Sequence, residues 1–241
     1  MIKIENTVVD GWEAAIRGAR NPLNSWARSD SWFGCRDGDY GHIEAGCCGK
    51  HCRCDCEFIL GANDYDLMKR LVQAGSDHSK FMRMINVTCD ITAPMYLWKE
   101  MDTYKVGTVR NSCSTMHKIA AKEFEFDDFS WEHIFTMPKN PDRDCVKYHD
   151  DGYTVFSRDI LAMTIDVLNL YRERFLETKD KDYWWQIIQL LPSSYNQKAT
   201  WQANYAVLRN IYHARKNHKL DEWHTFCDWI ETLPYSELIT M

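Results

Sequence analysis

Five cysteines, Cys47, Cys48, Cys52, Cys54 and Cys56, fall within ten residues, and His51 stands among them. Thiolates and an imidazole at that density bind zinc tetrahedrally, and the neighbouring glycines let the backbone fold round an ion. In a reducing compartment, metal binding comes before disulfide formation. The ligands of such a structural zinc would be four drawn from Cys35, Cys47, Cys48, His51, Cys52, Cys54 and Cys56. The spacing is not a paired C-x-x-C, so a surface insertion with unpaired thiols is the alternative. A second pattern lies in WQANYAVLRNIYHAR, where Asn204 and Arg215 stand eleven residues apart. On a helix that is close to three turns, about 16 Å along one face. Leu208 and Ile211 lie between them, and polar groups at both ends of an apolar stripe need partners. A bound polar ligand would supply them, or Arg215 would pair with Asp221 or Glu222. A third pattern is Ser112, Ser114 and Thr115 at the start of a helix after a strand. Hydroxyls and free N–H groups there suit phosphate, or simply cap the helix.

Other chemistry has no signature. G-x-G-x-x-G, G-x-x-x-x-G-K-[ST], G-x-S-x-G and H-E-x-x-H are all missing from the sequence. His117, His213, His218 and His224 are scattered and read as packing or surface residues.

The elements that must position these residues follow from periodicity. WEAAIRGAR reads as a helix with Trp12, Ala15 and Ile16 on one side. Phe58–Gly61 reads as a short strand. A helix capped by Asn63 or Asp64 runs to Ala74 and ends at Gly75. Asp77 opens another short helix with Phe81 and Met84 inward. Asn86–Thr92 alternates β-branched and polar residues as a strand. Thr92 then caps a helix carrying Tyr96, Trp98, Lys99 and Met101, with Pro94 in its first turn. Tyr104–Val109 reads as a second strand and Asn111 to Ala121 as a helix. Residues 123–155 are acidic, aromatic and irregular. The last third reads as helices over Ile160–Phe175, Asp180–Leu191, Thr200–Arg215 and Asp221–Leu233.

Composition limits the function. The 241 residues are 45% hydrophobic and 27% charged, and the net charge is −6. That argues against coating a nucleic-acid polymer. No apolar run approaches the roughly 20 residues a membrane span needs, and MIKIENTVVDGWEAAIRG lacks a signal-peptide core. The chain is therefore expected in the cytoplasm. Trp, Tyr and Phe are 13% of residues; they belong mainly to a core, with some rings free to form a stacking wall at a pocket edge.

An ordered set of residues resembles the flavin-dependent thymidylate synthases (ThyX). In LPSSYNQKATWQANYAVLRNIYHAR, Leu191, Pro192, Trp201, Asn204 and Arg215 fall at that family's spacing without gaps. His78 stands fifteen residues before Ala93-Pro94, as a flavin-contacting histidine of the family stands before a strand–helix junction. NSCSTMH looks like the family's N-E-x-S-x-R-Y, with Asn111 and Ser114 matching. The resemblance spans roughly residues 75–233. It implies one α+β domain over residues 1–241, with a small sheet, a predominantly helical C-terminal half and a Cys-rich insertion at about 35–57. It implies FAD as cofactor, methylene-tetrahydrofolate and NADPH as co-substrates, a pyrimidine nucleotide as substrate and a homotetramer. In this reading Arg215 polarises the pyrimidine. His78, Asn204 and Asn111 contact flavin, while Ser114, Lys105, Tyr104 and Lys99 face the nucleotide.

The sequence departs from the family at its cations. Thr103–Lys105 or Tyr104–Val106, depending on register, stand where the family has R-H-R. Met116, Ala206 and Ile188 replace three further arginines. Lys99, Lys105, Arg110 and Arg209 are the residues available to restore charge, although lysine lacks the two-pronged fork that arginine offers phosphate. The resemblance thus implies reductive C5 methylation of a uracil nucleotide, dUMP by default. The alternative it leaves is a ThyX-fold protein that binds nucleotide or flavin without acting on dUMP, or that modifies another pyrimidine nucleotide.

Overall fold

The computed structural model describes residues 2–35, 56–140, 143–148 and 153–241. Along the chain come β1 (Lys3–Asp10), α1 (Trp12–Arg20), β2 (Trp32–Cys35), β3 (Cys56–Ile59), α2 (Ala62–Gln73), β4 (Asn86–Pro94), α3 (Met95–Met101) and β5 (Val109–Ser112). Then follow α4 (Thr115–Lys118), β6 (Val146–Tyr148), β7 (Tyr153–Val155), α5 (Ser157–Thr178), α6 (Lys181–Leu190), β8 (Asn196–Asn204), α7 (Tyr205–Arg215), α8 (Asp221–Glu231) and α9 (Glu237–Thr240). The class is α+β, as the sequence implies. The principal sheet is antiparallel with order β1-β4-β8-β5, and two hairpins pair β2 with β3 and β6 with β7.

The strands follow the two-residue period of a half-buried sheet. In β4, Val87, Cys89, Ile91 and Ala93 are buried while the residues between them stay half-exposed. In β8, Ala199, Trp201 and Ala203 are buried in the same alternation. This corrects the helix expected from Thr200. Alanine and glutamine are good helix formers, but the alternating burial of ATWQAN decides for strand. The strand β1 was not anticipated, because KIENTVVD on a sheet edge is mostly exposed and shows little alternation.

Smaller corrections concern helix ends. Neither Asn63 nor Asp64 caps α2. The carboxylate of Asp30 accepts from the Asn63 and Asp64 amides at 2.9 and 3.0 Å. Asp64 is instead buried, and its carboxylate accepts from Arg20, Ser29 and Ser31 side chains. The segment after Asp77 is a 3-10 turn, Lys80–Met84, that buries Phe81 and Met82 and leaves Met84 out. Pro94, not Thr92, sits at the cap position of α3.

By internal packing the chain forms two compact units. The first comprises Met1–Glu5, Asp90–Thr103 and Arg110–Thr200; the second comprises Asn6–Cys89, Tyr104–Val109 and Trp201–Met241. The first has a core of Ile119, Phe124, Phe129, Leu161, Ile165, Leu168 and Ile187, built on α5 and α6. The second buries Tyr205, Leu208 and Ile211 of α7 together with Trp223, Phe226 and Ile230 of α8. Removing such large side chains from water contributes about 1.5–3 kcal/mol each. No helix of the described residues is long and apolar enough to cross a membrane. Cys47, Cys48, His51, Cys52 and Cys54 lie outside the described residues, and Cys56 begins β3. Among the described residues no cluster of three or more His, Cys, Asp or Glu is arranged to hold a metal.

Candidate functional site

The second unit holds five of the expected residues, His78, Tyr104, Lys105, Asn204 and Arg215. Asn204 ends β8, and its side-chain oxygen accepts from the Val207 amide at 3.1 Å, capping the helix. Asparagine is among the best residues for this, because it satisfies an amide that has no helical partner. Leu208 and Ile211 fill the buried side of α7, so its two ends are fixed by packing. Arg215 is the last helical residue, half-buried. Its Nε donates to the Tyr104 hydroxyl at 2.9 Å. Its guanidinium lies over the Trp223 ring at 4.9 Å and over the Tyr104 ring at 5.5 Å. Those rings meet edge-on at 6.1 Å, and His218 meets Trp223 edge-on at 6.4 Å. The arginine is therefore held against two aromatic rings, an arrangement that orients a guanidinium.

Tyr104 belongs to a loop rather than the expected strand. A 3-10 turn, Asp102–Tyr104, is followed by Gly107 at φ +81, and the strand β5 begins only at Val109. The Thr108 hydroxyl donates to the Tyr104 carbonyl at 2.7 Å, which closes the loop on itself. A Cβ at Gly107 would stand 3.1 Å from Val207 Cγ2 and 3.2 Å from Asn204 Nδ2. Glycine is required there twice over, for its left-handed backbone and for the close approach to α7. The loop thus reaches Arg215 through Tyr104 and Asn204 through Gly107. Lys105 and Val106, between those anchors, are exposed, Val106 at 91%. His78 is exposed too, just before the Lys80–Met84 turn, and the residue after that turn, Ile85, accepts the Tyr205 amide at 3.0 Å.

Trp223 adds an unsatisfied donor. Its ring is fully buried, and its indole Nε1 has no hydrogen-bond partner among the described residues. Such a group in a native core calls for water or a ligand. In the sequence Trp223 was one of several aromatic residues, and nothing in the spacing linked it to Arg215. The link comes from the break between α7 and α8, which turns the chain so that the second helix faces the end of the first.

The other expected residues belong to the first unit. Lys99 is exposed on α3, and Asn111 is exposed in β5. Ser114 follows β5 and caps α4, its Oγ accepting from the His117 amide at 3.1 Å. The neighbouring Cys113 amide donates to the Lys198 carbonyl at 2.8 Å, and Gln197 Nε2 donates to the Cys113 carbonyl at 2.8 Å. Ser114 is thereby fixed against β8. The helix expected over Asn111 to Ala121 shrinks to Thr115–Lys118, because Val109–Ser112 joins the sheet instead. Two of the replacement cations are already engaged. Arg110 pairs with Asp102 at 3.2 Å and lies over Trp98. Arg209 donates to the Ile239 and Met241 carbonyls.

The sheet and the helices around it form an α+β fold that is ThyX-like. Solved structures agree. A flavin-dependent thymidylate synthase ThyX from Helicobacter pylori, complexed with FAD and dUMP, matches with a TM-score of 0.62 at 17% identity, covering 98% of this chain and 97% of that one. Thymidylate synthase X from the same organism, also with FAD and dUMP, matches at 0.61 and 16% identity over 100% and 97%. The UMP/dUMP methylase PolB of Streptomyces cacaoi, bound with 5-Br dUMP, matches at 0.53 and 12% over 100% and 95%. No protein-family model matches the sequence, and no curated protein matches it. The likeness is one of fold.

Proposed function

We propose that this chain is a divergent ThyX-type enzyme that reductively methylates C5 of a uracil nucleotide, with dUMP as the default substrate. The observation that carries the reading is the arginine at the end of α7, held by Tyr104 and Trp223 on a helix that Asn204 caps. A guanidinium presented in this way polarises a pyrimidine carbonyl and stabilises negative charge that develops on it, with no protein nucleophile needed. The solved neighbours bind FAD, dUMP or 5-Br dUMP, which supports both cofactor and substrate class.

The residues fit a flavin at its ring more fully than at its diphosphate. Asn204 and His78 offer polar contacts, and Gly107 keeps the loop backbone close to Asn204. For phosphate the loop offers Lys105 alone between Tyr104 and Val106. A lysine provides charge but not the paired donors of arginine. When bound, FAD supplies the hydride, and methylene-tetrahydrofolate supplies the carbon, with NADPH restoring the reduced flavin. Asn111 serves the cofactor and Ser114 and Lys99 the nucleotide, and the working form is a homotetramer.

The second reading keeps the fold and the flavin or nucleotide but drops dUMP. One observation favours it: the loop at the R-H-R position holds a single exposed cation, while PolB shows that this fold also serves UMP. Flavin titration and complementation of a thymidine auxotroph separate the two. Yellow protein that rescues growth supports the first reading, and yellow protein that does not supports the second. Colourless protein that takes up no flavin overturns the enzyme reading. In an active protein, Arg215→Ala should lower kcat/KM by about a thousand-fold or more with the fold intact by circular dichroism.

A further inference from the structure

A large cavity lies away from α7, between the segment after α1 and α2, and has a volume of about 1190 Å³. Four cationic side chains line it, Arg20, Arg28, Lys69 and Arg70, against one carboxylate, Asp66. That excess stands out in a chain of net charge −6.

The four cations are not equivalent. Arg20 is buried, 4% exposed, and its charge is spent on Asp64. Its Nη1 also donates to the Ser25 carbonyl at 3.2 Å, which fixes the wall it belongs to. Lys69 is shared between Asp66 and Glu237 at 3.4 and 3.9 Å. Among the described residues, Arg28 and Arg70 form no ion pair, and the one lining carboxylate, Asp66, pairs with Lys69. Arg70 Nε donates to the Asp66 carbonyl at a long 3.4 Å. Two guanidiniums with no ion pair among the described residues thus line one cavity, beside the buried pair of Arg20 and Asp64. The wall between them offers neutral hydrogen-bonding amides from Asn24, Asn63 and Gln73.

We infer that this cavity is a binding site for a phosphorylated small molecule, separate from the site on α7, with the phosphate held by Arg28 and Arg70. Planar guanidiniums grip phosphate through paired donors, and a fixed wall spares the site part of the cost of ordering itself. The volume suits a ligand of nucleotide size rather than a lone ion.

The test is calorimetric titration of the full chain with inorganic pyrophosphate, repeated with Arg28→Ala/Arg70→Ala and with Arg215→Ala. Both replaced arginines are exposed, so the double variant should melt like the parent. Parent and Arg215→Ala are expected to bind pyrophosphate alike, and the double variant about ten-fold or more weakly. Binding that survives the double replacement overturns the inference, as does parent protein that binds nothing. Displacement by sulfate at equal concentration shows an adventitious ion only and overturns it as well. Loss of binding in Arg215→Ala alone would move the phosphate to α7 and away from this cavity.

Discussion

Arg215 draws its orientation from a residue 111 positions earlier in the chain. Tyr104→Phe isolates that contribution, since the ring stays over the guanidinium while the acceptor hydroxyl goes. With the arginine freer to rotate, kcat/KM should drop about ten-fold with flavin affinity unchanged. A kinetic comparison that shows no change would make Tyr104 a packing residue only. The sequence marked Asn204 and Arg215, because polar residues at both ends of an apolar stripe are conspicuous. It did not mark Tyr104 as their partner, since a contact across 111 residues leaves no local pattern. Nor did it reveal that Gly107 bends the loop, although a glycine flanked by valine and threonine is a recognised interruption of a strand.

Among the elements, the long amphipathic stretches were legible and the short or polar ones were not. The helices α1, α5, α6 and α8 follow from apolar spacing and lie within a few residues of expectation. The strand β8 was hidden behind helix-forming residue types, and β1 behind its polarity. The helix α5 carries a second message. Leu161, Ile165 and Leu168 face its core, yet Ile160, Met163, Val167 and Leu170 are exposed at 48, 52, 37 and 48%. Their spacing of three, four and three residues is that of a seam between paired helices. If the chain assembles with itself, this stripe is the natural contact. Met163→Glu with Val167→Glu should then lower the mass measured by light scattering while helix content stays the same. Unchanged mass in an assembled protein would remove α5 from the interface.

At the scale of the whole molecule, the ion pair of Arg20 and Asp64 contributes to the response to acid. Burial by itself would push the Asp64 carboxyl up. Hydrogen bonds from Ser31, Ser29 and Arg20, with the charge of Arg20, more than offset this and hold it below its ordinary value. A carboxyl lowered on folding stabilises the fold above the unfolded-state value and loses that contribution as pH falls through the folded one. Asp64→Asn should cost about 3–5 kcal/mol near neutral pH, where Arg20 is left buried without its counter-charge. Urea melts should show the gap between parent and variant narrowing as pH falls below the carboxylate range. A constant gap would mean the loss is one of packing rather than charge.

The two compact units are interleaved along the chain, which passes from one to the other five times. No single cut leaves one unit whole and free of the other. A nested deletion series should therefore give no soluble half-protein that keeps one core, and a gene fragment encoding either unit alone does not exist as a continuous stretch. Whatever ancestry shaped this protein, shuffling of those two halves as separate exons was not open to it.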